Sequence, residues 1–195
     1  MGTPEEIEYA LRCLRRRGIR RWGSSRAAMA VTIVTGVDGP AVLLTRRGDS
    51  LHPHAGQWGL PGGRADRWES ASGAARRQLA EYLGMRLPPE SVLGLLDDHA
   101  THNRLVITPV VLWAGEHGDR IRLNQPLRQG RADDVLAVPF TDLDVEPVFV
   151  ASSESESSVI RLPLHGGWLP APTAAVLHQF REVVLHRRRT RVAHR

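Results

Sequence analysis

A double glycine that runs through a polar loop into a capping serine constrains this chain more than any other feature. Residues 58–85 read WGLPGGRADRWESASGAARRQLAEYLGM. Pro61, Gly62 and Gly63 forbid a regular helix or strand and let the backbone approach a ligand closely. Ser70 can accept from the free backbone N–H groups of a first helical turn. Gly84 suits the left-handed residue that closes a helix after Leu83. Between these caps, Arg77, Gln78, Glu81 and Tyr82 recur at spacings that cluster on one helix face. A glycine turn followed by a short helix with a charged face points to phosphate and metal chemistry.

The 195 residues are enough to bury one substantial core, and 42% hydrophobic with 24% charged residues describe a globular domain. No apolar run is long enough to cross a membrane, and residues 1–20 are charged throughout. Neither a transmembrane span nor a secretory signal is therefore expected. A single cysteine, Cys13, excludes an internal disulfide and fits a reducing compartment, the cytoplasm. The net charge is +5 and the sequence contains no lysine, so every side-chain cation other than histidine is arginine, the better bidentate partner for phosphate. The arginines crowd at residues 12–21 and 187–195. With no aromatics interleaved to stack bases, these runs read as solvated tails rather than as a nucleic-acid surface.

Thr3-Pro4-Glu5-Glu6 is a capping-box pattern, and Ile7, Ala10, Leu11 and Leu14 follow at helical spacing. Residues 26–35 and 41–46 are strand-like and joined by a GVDGP turn; residues 47–57 form a loop leading into the glycine turn. Val92–Leu96 and Leu105–Trp113 read as a second hairpin, with Pro109 implying an edge position or a bulge. Residues 115–134 are loop-like, with Ile121 and Leu123 as a short strand. Val135–Phe140 and Val159–Leu164 are further strands, TDLD after Phe140 is a turn, and the serine–glutamate tract at 152–158 is an exposed loop. Pro172 opens a final helix carrying Val176, Leu177, Phe180, Val183 and Val184. The order predicts an α+β sandwich with a mixed sheet, in one domain over 1–195, with a helical extension at 1–24 and a C-terminal helix and basic tail at 172–195.

The central stretch resembles the signature of the Nudix hydrolase family, Gly-x5-Glu-x7-Arg-Glu-apolar-x-Glu-Glu-x-Gly-apolar. Gly63, Glu69, Arg77, Leu79, Glu81, Gly84 and Met85 fall on it with full spacing. The preceding run, LLTRRGDSLHPHAGQWGLPGG from Leu43 to Gly63, looks like the upstream motif of coenzyme A diphosphatases in that family, and Asp66 matches the aspartate that commonly follows. Two positions depart from the pattern: Gln78 and Tyr82 stand where the family has glutamates. The box is degenerate, because those carboxylates ordinarily bind the divalent cations.

The resemblance implies a Nudix-type α/β/α sandwich acting on a small-molecule nucleotide, a nucleoside diphosphate linked to another moiety, with coenzyme A-like substrates favoured. It implies Mg²⁺ or Mn²⁺ held by Glu81, the Gly63 carbonyl and Gln78. Arg77 would orient Glu81. Asp134 would be the outside acidic ligand or base, with Asp97 and Asp98 as runners-up. Arg47, His54, Gly62 and Gly63 would contact substrate. Relatives are frequently dimers, so a homodimer belongs to the same expectation. From the residues alone, Glu69 reads as stabilising the helix N-terminal end, and Trp58 and Trp68 as packing residues that could stack on a base. The alternative is a Nudix-fold binding or regulatory module that has lost turnover with its carboxylates.

Overall fold

The computed structural model describes residues 2–20, 23–36, 38–47, 56–101, 104–115, 132–151, 158–164, 167–188 and 190. Helix α1 (Pro4–Cys13) opens on the predicted capping box: Thr3 accepts from the Glu6 backbone while the Glu6 carboxylate accepts from the Thr3 N–H. Strands β1 (Ser25–Gly36) and β2 (Gly39–Arg47) form the first hairpin. Next come β3 (Trp58–Gly59), β4 (Gly62–Arg64) and helix α2 (Ala71–Leu83). After a 3-10 turn at Pro89–Ser91 the chain runs through β5 (Val92–Leu95), β6 (His99–Ala100) and β7 (Leu105–Gly115). Strand β8 (Ala132–Pro139), the short helix α3 (Phe140–Leu143), and a small sheet of β9 (Val148–Ala151), β10 (Ser158–Leu164) and β11 (Gly167–Leu169) follow. Helix α4 (Thr173–Phe180) continues as a π-helical turn at Arg181–Leu185.

The main sheet is mixed. Strand β7 runs parallel to β1, and the other ladders are antiparallel. Strand β1 pairs with β2 over Ile33–Gly36 but with β4 over Ala27–Met29. Strand β2 in turn gives its far end, Thr45 and Arg46, to β3. The two long strands thus diverge, and residues 58–64 are wedged into the fork. Pro61 sits at its centre, its carbonyl accepting from the Ala30 N–H at 2.8 Å. The glycine turn of the sequence is therefore part of the sheet, held from both sides.

Alternation along the strands divides the core in two. Ala28, Ala30, Val34, Leu43, Val110, Leu112 and Val135 face α2 and meet Ala74, Ala75, Leu79 and Leu83. Val31, Ile33, Val42, Leu44, Val111 and Val138 face the other way, toward Ile7 and Leu11 of α1 and Leu177 and Phe180 of α4. The result is the helix–sheet–helix sandwich with mixed sheet that the sequence implied.

Several local expectations change. Pro109 lies in an interior strand, flanked by β1 on one side and by β5 and β6 on the other. Its carbonyl accepts from Leu96, so the missing N–H points to the same side, where the chain leaves the ladder between β5 and β6. The TDLD turn is the helix α3, and β11 was not foreseen. Ile121, Leu123 and most of the serine–glutamate tract lie outside the described residues. Not all terminal arginines are solvated: Arg16 is bound to Asp98 and donates to the Leu96 carbonyl, and Arg187 donates to the Glu6 carbonyl at 2.6 Å. Asp97 and Asp98 explain these ties. Asp97 accepts from the Arg17 N–H and the Gln179 amide; Asp98 accepts from Ile19 N–H and the Thr108 hydroxyl at 2.7 Å. Both aspartates fasten the segment after α1 to the sheet and α4, which takes them out of consideration as metal ligands.

Candidate functional site

Helix α2 carries most of the signature side chains, and its phase decides which of them reach solvent. Ser70 caps it through the Gly73 N–H and Gly84 closes it at φ 68°, both as expected. Its inward stripe is Ala74, Ala75, Gln78, Leu79, Tyr82 and Leu83, all buried. Arg77 and Glu81 flank this stripe and are about one-third exposed. The single charged face expected from the spacing is therefore split. Gln78 and Tyr82 turn toward the sheet because they stand at i+4 and i+8 from Ala74 and share its orientation. Tyr82 is 4% exposed and belongs to the α2-side core.

Arg77 is the hub of what remains. Its Nε and Nη2 donate to the two oxygens of Glu69 at 3.0 and 2.8 Å. Its Nη1 donates to Glu81 at 2.9 Å, and Nη2 also reaches the Arg64 carbonyl at 3.0 Å. Asp66 is 3.7 Å away. Glu69, read from the sequence as a helix-end charge, directly precedes the Ser70 cap and is also a bidentate partner of this guanidinium, and it accepts from the Asp66 N–H at 2.9 Å. Gln78 completes the arrangement: assigning its amide orientation from the donors and acceptors around it sets the nitrogen to donate to the Gly62 carbonyl at 3.2 Å and the oxygen to accept from Arg77 Nη1 at 2.7 Å. A Cβ on Gly63 would stand 2.7 Å from Gln78 Cδ, so the turn and the amide are fitted to each other.

These contacts move proton affinities. The Arg77 hydrogen bonds are the largest influence on Glu69 and lower its pKa below the ordinary 4.5. Hydrogen bonds to Glu69 and then Glu81 raise that of Arg77. A carboxylate depressed in the folded state contributes stability above its unfolded pKa and loses it as pH falls through the folded one. Wild-type protein should therefore lose thermal stability on acidification below about pH 4.5 more steeply than Glu69→Gln. Melting temperatures across pH 3–6 check this, and parallel curves would contradict it.

The other expected site residues are dispersed. Asp134 alternates with Val135 and so shares the face of Leu136 and Val138, on the α4 side of the sheet. It is paired with Arg46 directly across the β2–β8 ladder, through Nε at 2.9 Å. The structure thus separates it from Glu81, which projects from α2 on the opposite face. Arg47 lies in β2 by its backbone; its side chain, and the whole of His54, fall outside the described residues. Gly62 and Gly63 form β4 in the fork, against Met29 and Ala28.

On the α4 side of the same fork is a small open cleft of about 130 Å³, lined among others by Met29, Thr45, Trp58, Leu60, Pro170 and Thr173. Its described lining is apolar and neutral polar. Trp58 is half-buried and lies under the Arg46 guanidinium at 5.7 Å. Met29 connects the cleft to the glycine turn, since its Cγ is 3.0 Å from where a Gly62 Cβ would be. No local signal could have assembled this cleft, because its walls come from β1, β2, the fork and the start of α4.

The NUDIX domain model matches residues 24–152, from the start of β1 to just past β9. The chain belongs to the Nudix family. It is 31% identical over 124 residues to Nudix hydrolase 22, chloroplastic, of Arabidopsis thaliana, covering 62% of this chain and 39% of that one. It is 37% identical over 89 residues to the uncharacterized Nudix hydrolase NudL of Yersinia enterocolitica, covering 45% of each. The chain thus spans less than half the length of these curated relatives. Among solved structures it resembles the Nudix hydrolase RenU of M. Smegmatis, with a TM-score of 0.51 and 23% identity over 91% of this chain and 94% of that one. That likeness supports the Nudix fold and nothing finer.

Family members generally use a divalent cation such as Mg²⁺ or Mn²⁺. The described donor set does not fit a metal cluster. No group of three His, Cys, Asp or Glu side chains converges among the described residues. The helix carboxylate that remains, Glu81, is bound to Arg77, while the amide oxygen of Gln78 accepts from the same guanidinium.

Proposed function

We propose that this Nudix domain binds a nucleoside diphosphate linked to a second moiety, with coenzyme A-type ligands favoured, and holds it with little hydrolysis. The observation that carries this reading is the engagement of Gln78. An amide donating to the Gly62 carbonyl cannot be replaced by a bare carboxylate without setting two oxygens against each other. The position suits a neutral amide, which adds one more tie to a glycine turn already held by its ladder with β1. With neutral side chains at 78 and 82, α2 lacks two carboxylates of the family pattern, which lowers the repulsion a metal-free diphosphate would meet near it. The neutral cleft around Trp58 and Thr173 suits the uncharged part of such a ligand. The coenzyme A preference rests on the run from Leu43 to Gly63.

A second reading is retained by Glu81 and the intact Arg77–Glu69 pair: a slow Nudix hydrolase. One experiment separates the two. Purified protein is incubated with Mg²⁺ or Mn²⁺ and coenzyme A, NADH, ADP-ribose or nucleoside triphosphates, with product and melting temperature both followed. The expected result is stabilisation by a coenzyme A-type ligand without appreciable product. Metal-dependent product that disappears in Glu81→Gln would establish the hydrolase instead.

A further inference from the structure

The loop between β4 and α2 carries the most exposed large hydrophobic side chain among the described residues. Trp68 is 91% exposed, so it is not the packing residue its position beside a turn suggested. Its backbone has φ 70°, in the left-handed region that a bulky residue rarely adopts. The chain thus places its largest side-chain type where glycine would be easiest, and leaves it in solvent. Neither burial nor backbone preference accounts for a tryptophan at this position.

The loop is also rigidly built. Glu69 N–H donates to the Asp66 carbonyl at 3.0 Å, and the Glu69 carboxylate accepts in return from the Asp66 N–H at 2.9 Å. The same carboxylate is clamped by two bonds from Arg77. The loop backbone that carries Trp68 is therefore held relative to the helix face described above. Its immediate neighbours, Asp66, Arg67, Glu69 and Ser70, are charged or polar, and the Arg67 guanidinium lies 5.4 Å from the ring centroid. A protein interface would need a contiguous apolar surround. One exposed indole among charges, with a cation beside it, matches a single planar ring that carries phosphate.

We propose that Trp68 is a stacking platform for the base of a nucleotide whose phosphates lie toward the glycine turn and α2. The proposal rests on the nucleotide-binding reading given above, and its test separates the two. Wild type, Trp68→Phe and Trp68→Gly are titrated calorimetrically with ADP, coenzyme A and inorganic diphosphate. Stacking predicts that Trp68→Gly weakens ADP and coenzyme A about 10-fold or more, while Trp68→Phe stays within about threefold of wild type. Inorganic diphosphate, which has no ring, should bind all three alike. Glycine accepts the positive φ, so Trp68→Gly should melt no lower than wild type and up to roughly 4 °C higher.

Equal ADP and coenzyme A affinity in wild type and Trp68→Gly would overturn the stacking role and leave the nucleotide-binding reading standing. A parallel loss of inorganic diphosphate would assign the effect to loop collapse and also overturn it. A wild-type oligomer that dissociates in Trp68→Gly would place the indole in a protein interface instead. If the wild-type protein binds neither ADP nor coenzyme A, both readings fall.

Discussion

Replacing Asp98 by alanine should destabilise the domain by about 3 kcal/mol, which for a chain of this size lowers the melting temperature by roughly 6–12 °C. The carboxylate is buried and gathers Arg16, Arg26, the Ile19 N–H and the Thr108 hydroxyl from three different parts of the chain. Its removal strands the Thr108 hydroxyl inside and releases the segment after α1. The estimate sits low in the range for broken buried pairs because Arg16 and Arg26 are partly exposed and can turn to water. Urea unfolding measures the loss, and hydrogen exchange at residues 16–19 should rise with it. An Asp98→Asn variant keeps an acceptor for Ile19 and should lose less. Equal stability of Asp98→Ala and wild type would show that the clasp contributes nothing.

Gly62→Ala should damage both fold and ligand binding. The new Cβ would stand 2.7 Å from the carbonyl oxygen of Ala28 and 3.3 Å from Met29 Cα, backbone atoms of a central strand that cannot step aside. Overpacking of this kind costs about 1–3 kcal/mol. Strand β4 must shift, carrying the Gln78 bridge and the Met29 edge of the cleft with it, so coenzyme A affinity should fall at least about 10-fold, the equivalent of 1.4 kcal/mol. Gly63→Ala provides the contrast, since its Cβ meets the side chain of Gln78. That side chain can swing out, so the stability cost should be smaller while the amide bridge to Gly62 is lost. Paired denaturation and titration curves distinguish the two, and identical behaviour would refute the assignment of backbone contact to one and side-chain contact to the other.

Much of this architecture was legible in the residues themselves. The capping box at Thr3–Glu6, the Ser70 cap and the Gly84 terminator are local, because the hydrogen bonds they satisfy lie within a helical turn of the capping residue. The alternating runs of β1 and β2 likewise carried their own period. Local rules failed where distant partners decided the outcome. Pro109 suggested an edge or a bulge until the break between β5 and β6 supplied an interior place for a residue with no N–H. Asp97 and Asp98 looked like spare acids until the segment around Arg16 and Gln179 of α4 came to meet them.

The site divides along the same line. The sequence by itself determined the family register, the glycine turn, and the absence of glutamate at 78 and 82, because spacing along a helix is a one-dimensional property. Only the tertiary structure decided what those departures mean. It turned Gln78 and Tyr82 into the core, gave the Gln78 amide to the Gly62 carbonyl, set Asp134 on the far face of the sheet, and left Trp68 in solvent. Each of these depends on which side of a strand or helix a neighbour 16 or more residues away occupies, as with Gln78 and Gly62. Helix phase orders residues among themselves, but the face that is buried is set by what packs against it.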